Sequence, residues 1–389
     1  MSSPDLGAAE MAAVQQVLAT GRLSLGPRLE AFERALAGYV GMAYGVGVNA
    51  GTSGLHLCVI AAGAGPGDLV ITTPFSFVAS ANCILYERAI PVFVDVDPAT
   101  GNIDPDMAAA AAADLTSGRA AARRWLPPAR RDNVPSPTAL KAILPVHVFG
   151  QPADMDPIIA TARQHNLAVI EDACEAIGAE YCGRRVGGSA DAAVFAFYPN
   201  KQMTTGEGGL VVTHREAWAS LLRSLRNQGR DVFDAWLVHT RLGYNYRLDE
   251  MSAALGLAQL QRLEQMLAQR AQVAGWYGER LADLEAVECP TVVMTTTRMS
   301  WFVYVVRIKA PARRDEVARR LAAAGIPSRP YFTPIHLQPF YQERFGYRRG
   351  AFPVAEFLGN VSLALPFSGV MTQSQVDEVC QVLRLAVRG

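Results

Sequence analysis

Seven short segments of the 389-residue chain are apolar at nearly every position, and helical segments separate them. A strand that is apolar throughout, rather than at every second residue, is covered on both faces. Strands that alternate with helices form a mainly parallel sheet wrapped by helices. We therefore expect an α/β fold with a large, mostly parallel seven-stranded sheet. The candidate strands are residues 44–49, 69–72, 91–96, 142–148, 168–171, 192–197 and 209–213, and candidate helices cover 7–20, 53–63, 76–87, 155–165 and 215–226.

The pattern changes at Asp249, where residues 251–281 read as one long helix with few helix-breaking residues. The sequence therefore predicts a large α/β domain at 1–248 and a smaller α+β domain at 249–389, joined by this helix. Further elements of the smaller domain are a candidate strand at 301–308 and candidate helices at 313–324 and 373–387.

Residues 108–138 differ from the rest of the large domain. An alanine-rich stretch is followed by an arginine-rich and then a proline-rich stretch. We interpret the segment as a helix extension followed by a solvated surface insertion. A basic binding arm is the alternative interpretation.

The overall charge is balanced, with 36 basic and 36 acidic residues. This balance does not favour binding to nucleic acid or to an acidic membrane surface. The six cysteines are scattered without a C-x-x-C pair, so we expect reduced thiols, and no histidine or cysteine spacing predicts a metal site. The sequence shows no signal peptide and no apolar run of membrane-spanning length, so we expect a cytoplasmic protein.

Lysine is rare in this chain, with three lysines against 33 arginines. One of them, Lys201, lies between Pro199 and a glycine-rich turn. Unlike arginine, lysine can lose its proton and condense with a carbonyl group, and burial favours the neutral amine. Lys201 is therefore a candidate nucleophile, with an exposed loop lysine as the alternative.

Asp172 follows a fully apolar strand, where an isolated buried charge would be very costly. A protonated pyridine nitrogen is a suitable partner for such a carboxylate, although Asp172 could also cap a helix. A lysine on a turn and a carboxylate at the end of a buried strand are the two groups that a pyridoxal phosphate (PLP) enzyme needs most. Lys201 and Asp172 together predict such an enzyme.

A candidate phosphate site lies at Gly51, Thr52 and Ser53, between a strand and a helix. Free N–H groups and the dipole of a first helical turn favour an anion, although an ordinary helix cap would have the same sequence. Beyond the next strand, one of Phe75 and Phe77 could stack on a flat ring while the other packs in the core.

His336 and Tyr331 belong to the smaller domain, in a segment that could line the cleft. His336 either reaches the substrate or caps a turn. His147 is more consistent with packing at the end of the sheet than with a reactive role.

These segments together resemble the DegT/DnrJ/EryC1/StrS family of PLP-dependent sugar aminotransferases of fold type I. The likeness extends over nearly the whole chain. It is carried by the motifs Gly-Arg-Leu-Ser-Leu-Gly-Pro at 21–27, Asn-Ala-Gly-Thr-Ser-Gly-Leu-His at 49–56, Phe-Val-Asp-Val-Asp-Pro at 93–98, Pro-Val-His-Val-Phe-Gly-Gln-Pro-Ala-Asp-Met at 145–155, Glu-Asp at 171–172, Phe-Tyr-Pro-Asn-Lys at 197–201, Gly-Glu-Gly-Gly at 206–209 and Leu-Gly-Tyr-Asn-Tyr-Arg at 242–247.

The resemblance implies a role for each matching residue. Lys201 would form the internal aldimine with the cofactor and move protons, and Asp172 would pair with the pyridine nitrogen. Phe77 would stack on the cofactor ring, and Gly51 and Thr52 would bind its phosphate. The remaining implied contacts are Asn245 with the phosphate of a neighbouring subunit, which implies a homodimer with shared active sites, and His336 with the sugar or its nucleotide.

Two residues depart from the family pattern. Ala196 stands where relatives usually have a phosphate-binding serine, and Glu175 stands where they often have Gln or His near the oxygen of the ring. A carboxylate there would repel a phenolate, so we expect Glu175 either to have a raised pKa or to turn away.

The resemblance implies a ping-pong transamination. Glutamate or glutamine would charge the cofactor to pyridoxamine phosphate, and a nucleotide-linked keto-deoxysugar would receive the amine. Within the same family, a cyclitol (scyllo-inosose-type) aminotransferase and an aminohydroxybenzoate synthase are alternatives. A PLP-binding regulator without catalytic activity is a further alternative from another class.

Overall fold

The computed structural model describes residues 4–118, 120–132, 139–231 and 238–388. Most predicted elements are present, with ends shifted by a few residues. The helices are α1 (Ala8–Thr20), α2 (Pro27–Val40), α3 (Gly51–Ala61), α4 (Ala79–Tyr86), α5 (Pro105–Ser117), α6 (Met155–His165), α7 (Glu216–Arg226), α8 (Glu250–Gln261), α9 (Leu263–Leu281), α10 (Arg314–Ala323), α11 (Pro339–Phe345), α12 (Pro353–Val361) and α13 (Gln373–Arg388).

The large sheet has seven strands in the order β1-β9-β8-β5-β4-β2-β3. Neighbouring strands from β8 to β3 are parallel, and β9 is antiparallel to both of its neighbours. The predicted seven-stranded, mostly parallel sheet is therefore confirmed. Its strands are β1 (Tyr44–Val48), β2 (Leu69–Thr72), β3 (Ile90–Phe93), β4 (Leu140–Ile143), β5 (Ala168–Asp172), β8 (Ala192–Ala196) and β9 (Gly209–Thr213).

Helices cover both faces of this sheet, as the wholly apolar strands predict. In β2, Leu69 and Ile71 pack towards the core formed with α5 and α6, while Val70 faces the opposite core with α3 and α7. Another part of the sheet packs against α2, α8 and α9 through residues such as Phe195 and Leu210. The polar ends of the strands therefore gather at the edge of the sheet rather than on its faces.

A second, antiparallel sheet has the order β10-β12-β14-β13 and shares a core with α9, α10 and α13. A small three-stranded sheet has the order β11-β6-β7. The strands of these sheets are β6 (Glu180–Tyr181), β7 (Arg184–Arg185), β10 (Val287–Glu288), β11 (Thr296–Arg298), β12 (Tyr304–Ile308), β13 (Arg329–Pro330) and β14 (Ser362–Leu365).

The prediction of one continuous helix over residues 251–281 is wrong, because the chain leaves helical geometry at Arg262. The backbone there has φ −115° and ψ 13°, which ends α8 and begins α9. The Arg262 guanidinium binds the Asp5 carboxylate at 2.7 Å and the Glu10 carboxylate at 2.9 Å. These contacts with the N-terminal segment hold the chain at the break. Asp5 and Glu10 are far from Arg262 in the sequence, so the local helical pattern could not predict the break.

The segment at 108–138 is more than a solvated loop. After α5, short 3₁₀ turns at Ala120–Arg124 and Pro128–Arg130 bring Ala122 and Leu126 into the core, where each is 1% exposed. Its arginines pair locally, as in the contact of Arg124 with Asp114. Residues 119 and 133–138 of the predicted insertion lie outside the described residues. Within the described ranges, no helix is both long and apolar enough to cross a membrane.

Candidate active site

The site lies at the carboxyl end of the parallel strands, where an open α/β sheet collects its ligands. Asp172 is the last residue of β5 and is 5% exposed. Its Oδ2 accepts a hydrogen bond of 2.7 Å from the Ser80 hydroxyl, and its Oδ1 accepts one of 3.2 Å from the Cys174 N–H. Within the described ranges, no lysine, arginine or histidine forms an ion pair with Asp172, and a cationic group of a ligand would suit this buried carboxyl group.

Lys201 lies on the turn after β8, where its N–H donates to the Tyr198 carbonyl at 2.9 Å. Its Nζ lies 3.6 Å from Glu175 Oε1 and 4.0 Å from the centroid of the Phe302 ring. The Lys201 carbonyl also accepts a hydrogen bond of 3.0 Å from the buried Arg270 guanidinium. The amine is therefore turned inward. The alternative interpretation, an exposed lysine on a loop, does not agree with the structure.

Glu175 faces Lys201 rather than turning away. Its Oε2 accepts a hydrogen bond of 2.9 Å from the Phe149 N–H. Burial raises the pKa of the Glu175 carboxyl above its ordinary range, while the positive charge of Lys201 acts in the opposite direction. The raised pKa agrees with the expectation from the sequence, and a contact of Glu175 with the cofactor stays a prediction.

The segment after β5 brings the two candidate cofactor-binding groups to the same region. The Cys174 N–H binds Asp172 Oδ1, and the next residue, Glu175, lies 3.6 Å from Lys201 Nζ, although 29 residues separate Asp172 and Lys201 along the chain. Burial raises the pKa of the Cys174 thiol, Asp172 raises it further and Lys201 lowers it.

The N-terminus of α3 lies at the same edge of the sheet and begins at Gly51. A Cβ atom on Gly51 would come within 2.7 Å of Ala196 Cβ and 2.8 Å of Cys174 Sγ. Only glycine allows so close an approach of the helix to β8 and to the segment after β5. The Ser53 hydroxyl donates to Asn49 Oδ1 at 2.7 Å, and phosphate binding by Gly51, Thr52 and Ser53 stays a prediction.

Phe75 and Phe77 have the different surroundings that the sequence suggested. Phe75 is buried against Phe149 and Phe332, with ring centroids 6.0 Å and 5.7 Å away. Phe77 is 62% exposed and lines an open groove together with Tyr331. It is therefore accessible to a ligand, and stacking on the cofactor ring stays a prediction.

The two candidate substrate residues of the smaller domain do not lie together. Tyr331 borders the groove, and burial followed by the charge of Glu175 raises its pKa to about 12. His336 is fully buried, and its Nε2 lies 3.0 Å from Glu356 Oε1 in an aromatic cluster with Phe352. His336 therefore does not face the groove in this structure, and its contact with a sugar or nucleotide stays a prediction.

Asn245 is exposed on an extended segment that runs beside the α3 N-terminus. The Asn49 amide group donates to the Asn245 carbonyl at 3.5 Å, and the Asn49 N–H donates to the Tyr246 carbonyl at 3.0 Å. The side chain is thus free to contact another molecule, as a role in a neighbouring subunit requires.

Sequence reasoning missed several residues that shape this pocket. Ser80 binds Asp172, Phe302 covers the Lys201 amine, and Arg270 holds the Lys201 turn. Ser80 lies three residues after Phe77, so its position past the same strand was a usable signal. No local pattern marks Phe302 or Arg270, which come from distant parts of the chain.

These residues fit pyridoxal phosphate. The unpaired, buried Asp172 carboxylate suits a protonated pyridine nitrogen, and the inward Lys201 amine suits a carbonyl. The N-terminus of α3 lies at the same end of the sheet and suits a phosphate.

Comparison with known proteins agrees with this geometry. The profile of the DegT/DnrJ/EryC1/StrS aminotransferase family matches residues 4–384. The GDP-perosamine synthase of Caulobacter vibrioides is 40% identical over 363 residues, which cover 92% of this chain and 90% of that protein. The crystal structure of S. venezuelae DesV with a ketimine intermediate has a TM-score of 0.85 and 34% identity, and covers 98% of this chain and 94% of that one.

The structure of a 3-amino-5-hydroxybenzoic acid (AHBA) synthase is also similar, with a TM-score of 0.87, 27% identity and coverage of 100% of this chain and 98% of that one. The similarity to these two structures covers nearly the full length of each pair of chains. It confirms fold type I. The chain is a PLP-dependent enzyme and belongs to the DegT/DnrJ/EryC1/StrS aminotransferase family.

Proposed function

We propose that this aminotransferase takes an amino group from glutamate or glutamine and passes it to a nucleotide-linked keto-deoxysugar in a ping-pong reaction. The observation that carries the proposal is the inward Lys201 amine, 3.6 Å from Glu175, in a protein that also has a groove lined by aromatic and arginine side chains. Lys201 supplies the reactive nitrogen, and the groove supplies room for a large acceptor.

The groove has a volume of about 1120 Å³, enough for a ligand larger than a free sugar. The exposed rings of Phe77, Tyr86 and Phe340 offer flat surfaces for a nucleobase, and Arg329 and Arg344 offer cations for a diphosphate. Among the described residues that line the groove, none is acidic. This charge favours a phosphorylated acceptor over a neutral cyclitol.

Tyr331 links the groove to the region of Lys201. It lines the groove, and its ring lies 6.0 Å from that of Phe149, whose N–H binds Glu175, the neighbour of Lys201. In this proposal the nucleotide lies in the groove and its attached sugar extends past Tyr331 towards Lys201. The relative from Caulobacter vibrioides is a GDP-perosamine synthase, which also supports a nucleotide-linked acceptor.

Bound PLP supplies an electron sink that lets a proton leave the carbon that carries the amine. Lys201 Nζ would take a proton from that carbon and deliver it to the C4′ carbon of the cofactor, because its amine is turned inward beside Glu175. Asp172 would hold a positive charge on the pyridine nitrogen, and the hydrogen bond from Ser80 orients the Asp172 carboxylate. The Phe302 ring limits the access of water to the amine on one side.

The active unit in this proposal is a cytoplasmic homodimer with shared active sites. The exposed position of Asn245 at the edge of the cofactor region supports a contact with a second copy of the chain. The large apolar side chains of Leu25 and Leu242 are also exposed and suited to burial in an interface.

The likeness to AHBA synthase makes an aminohydroxybenzoate synthase the rival function. Such an enzyme acts by dehydration and does not need an amino donor. A cyclitol aminotransferase would use the donor but would not need the arginines of the groove. The two rivals therefore predict different responses to donors and to nucleotides.

The decisive experiment follows the reaction in two halves. First, the purified protein with PLP is mixed with glutamate or glutamine, and we expect the absorbance of the Lys201-linked cofactor to bleach. Second, the aminated protein is offered GDP-, UDP- and dTDP-linked keto-sugars and cyclitol ketones, and we expect recovery of the absorbance with a nucleotide keto-sugar alone. Recovery with a cyclitol, or no bleaching by any donor together with dehydratase activity, would overturn the proposal.

A further inference from the structure

His56 lies in α3, five residues after the helix begins, and is 2% exposed. Both nitrogens of its ring have polar partners. Nε2 lies 2.8 Å from Glu87 Oε1, and Nδ1 lies 3.2 Å from the Tyr246 hydroxyl. The Tyr244 hydroxyl donates to the same Glu87 oxygen at 3.2 Å. We call His56, Glu87, Tyr244 and Tyr246 the histidine clasp.

The partners define the tautomer of this histidine. The Glu87 carboxylate only accepts, so His56 Nε2 carries the hydrogen, and Nδ1 accepts from the Tyr246 hydroxyl. Burial lowers the pKa of His56, and the Glu87 carboxylate partly offsets this effect. Each hydrogen bond of the clasp therefore has a defined donor and a defined acceptor, which fixes the orientation of the side chains involved.

The clasp holds the two neighbours of Asn245. The rings of Tyr244 and Tyr246 stack with centroids 5.0 Å apart, and His56 meets the ring of Tyr244 edge-on at 4.8 Å. In an extended segment, successive side chains point to opposite sides. Tyr244 and Tyr246 therefore point towards His56, while Asn245 between them points away and is exposed.

The backbone of this segment is fixed as well. The Tyr246 N–H donates to the Arg226 carbonyl at 2.9 Å, and the Asn227 backbone pairs with that of Asn245. The hydrogen bonds of the clasp add the side-chain constraint that sets the direction of Asn245. Packing of the helix alone does not explain a histidine here. A buried apolar residue at position 56 would fill the same helix face but would form none of these hydrogen bonds.

The clasp also connects the segment to both parts of the cofactor region. His56 belongs to the helix that begins at Gly51, and Glu87 follows α4, whose second residue, Ser80, binds Asp172. A single cluster thus joins the candidate phosphate helix, the helix that orients Asp172 and the segment of Asn245.

We propose that His56 is a positioning residue that, through Glu87, Tyr244 and Tyr246, presents Asn245 to the cofactor phosphate in a second copy of the chain. The inference rests on the shared active sites of the proposed function. It assigns His56 to the active site of the partner, although α3 begins beside the site of its own protomer.

The first test measures cofactor release. Tyr246→Phe removes one hydroxyl from the clasp and keeps the ring, and His56→Leu removes both hydrogen bonds. We expect Tyr246→Phe to release PLP about tenfold faster, because a less firmly held Asn245 would form a weaker hydrogen bond to the charged phosphate. His56→Leu should release PLP faster still. Tyr277→Phe is the matched control, since it removes a buried hydrogen bond to the Pro366 carbonyl far from the clasp. Equal release by all three variants and the wild type would overturn the role of His56.

The second test assigns the effect to one protomer. Heterodimers with two different tags are prepared, and PLP release is followed from the only protomer that keeps Lys201. When His56→Leu and Lys201→Ala are on opposite protomers, we expect the wild-type release rate, because the remaining site receives Asn245 from an intact clasp. When both changes are on one protomer beside a wild-type partner, we expect the faster rate.

The opposite assignment of rates would show that the clasp serves its own protomer and would overturn the inference. The same heterodimers separate this failure from a failure of the proposed function. A protein that sediments as a monomer and still retains PLP would contradict shared active sites and the inference together, whereas loss of amino transfer with the expected release rates would contradict the proposed reaction alone.

Discussion

The Glu175 carboxylate lies 3.6 Å from the Lys201 amine, and both side chains are largely buried. The Phe302 ring, with its centroid 4.0 Å from the amine, covers another side of Lys201. A lysine between an acid and an aromatic face is held in place without being blocked. The fold thus brings together two ionisable side chains, those of Glu175 and Lys201, that are 26 positions apart in the sequence.

Replacement of Lys201 should abolish amino transfer. Lys201→Ala removes the amine that joins the cofactor and moves the proton, and we expect turnover to fall by at least about 10³-fold. Lys201→Arg should fail in the same way, because arginine does not release its proton. Turnover and the absorbance of the bound cofactor measure both effects.

Lys141→Ala is the matched control for this change. Lys141 lies in β4, where its amine forms a 3.9 Å ion pair with Asp68. Its loss should leave turnover near the wild-type value. Substantial turnover in Lys201→Ala would exclude the proposed chemistry.

The raised pKa of Glu175 should make the stability of the cofactor-free protein depend on pH. The folded protein holds this proton more tightly than the unfolded chain, whose carboxyl has the ordinary pKa of 4.5. The stability contributed by the protonated group is fully present below pH 4.5 and is lost as the pH rises through the raised pKa. Within this window the loss is at most about 1.4 kcal/mol per pH unit.

Glu175→Gln removes this titration and keeps an acceptor for the Phe149 N–H. We therefore expect the variant to gain stability relative to the wild type as the pH rises above 4.5. Urea denaturation of both cofactor-free proteins at several pH values measures the difference. A difference that is constant with pH, or that falls, contradicts the assignment.

Asp172 and Ser80 should differ in the size of their effects. Asp172→Asn removes the charge that would pair with the pyridine nitrogen, and we expect turnover to fall by about 10²-fold or more. Ser80→Ala removes one hydrogen bond to the carboxylate, and we expect a loss of about tenfold, or roughly 1.5 kcal/mol. Steady-state kinetics test the order of the two losses.

Ser117→Ala controls for the loss of a hydroxyl, since the Ser117 hydroxyl donates to the Asp114 carbonyl at an exposed helix end. It should leave turnover unchanged. A larger loss from Ser80→Ala than from Asp172→Asn would contradict the assignment of Ser80 as a supporting group.

Gly51 should not tolerate a side chain. The Cβ of Gly51→Ala would lie 2.7 Å from Ala196 Cβ and 2.8 Å from Cys174 Sγ, so the first turn of α3 must move. We expect weaker PLP binding and a loss of about 1–3 kcal/mol in the free energy of unfolding. Equilibrium dialysis with PLP and urea denaturation measure the two effects.

Gly275→Ala is the matched control, because Gly275 lies within α9 and has no neighbouring atom within 4 Å of its Cβ position. An alanine in this helix should stabilise the protein by about 0.5–1 kcal/mol. If Gly51→Ala binds PLP as tightly as Gly275→Ala does, the close approach at α3 is not needed for the cofactor.

Much of the large sheet could be predicted from the sequence. The apolar runs that end at Thr72 and Thr213 match β2 and β9 at both ends. Periodicity predicts such elements because a strand covered on both faces must be apolar throughout. It failed at Arg262, where contacts with Asp5 and Glu10 interrupt a pattern that is locally helical.

The candidate site could be proposed from the sequence where its chemistry is local. Lys201 and Asp172 stand out by residue type and by position at strand ends, and in the structure the Lys201 amine turns inward to Glu175 while Asp172 is buried beside Ser80. Their roles towards the cofactor stay predictions. His336 shows the limit of this reasoning. Its sequence context suggested two roles, and only the folded chain reveals its burial against Glu356.

The sequence by itself determined the family and the order of strands and helices along the chain, and it singled out Lys201 as the candidate reactive lysine. These features depend on patterns and residue types within short segments. The tertiary structure alone decided that Glu175 and Phe302 surround the amine, that Phe77 is exposed while Phe75 is buried, and that His56 joins Glu87 to the tyrosines beside Asn245. Such contacts join residues that are far apart along the chain, so they are set by how the packed elements cross, which no local pattern records.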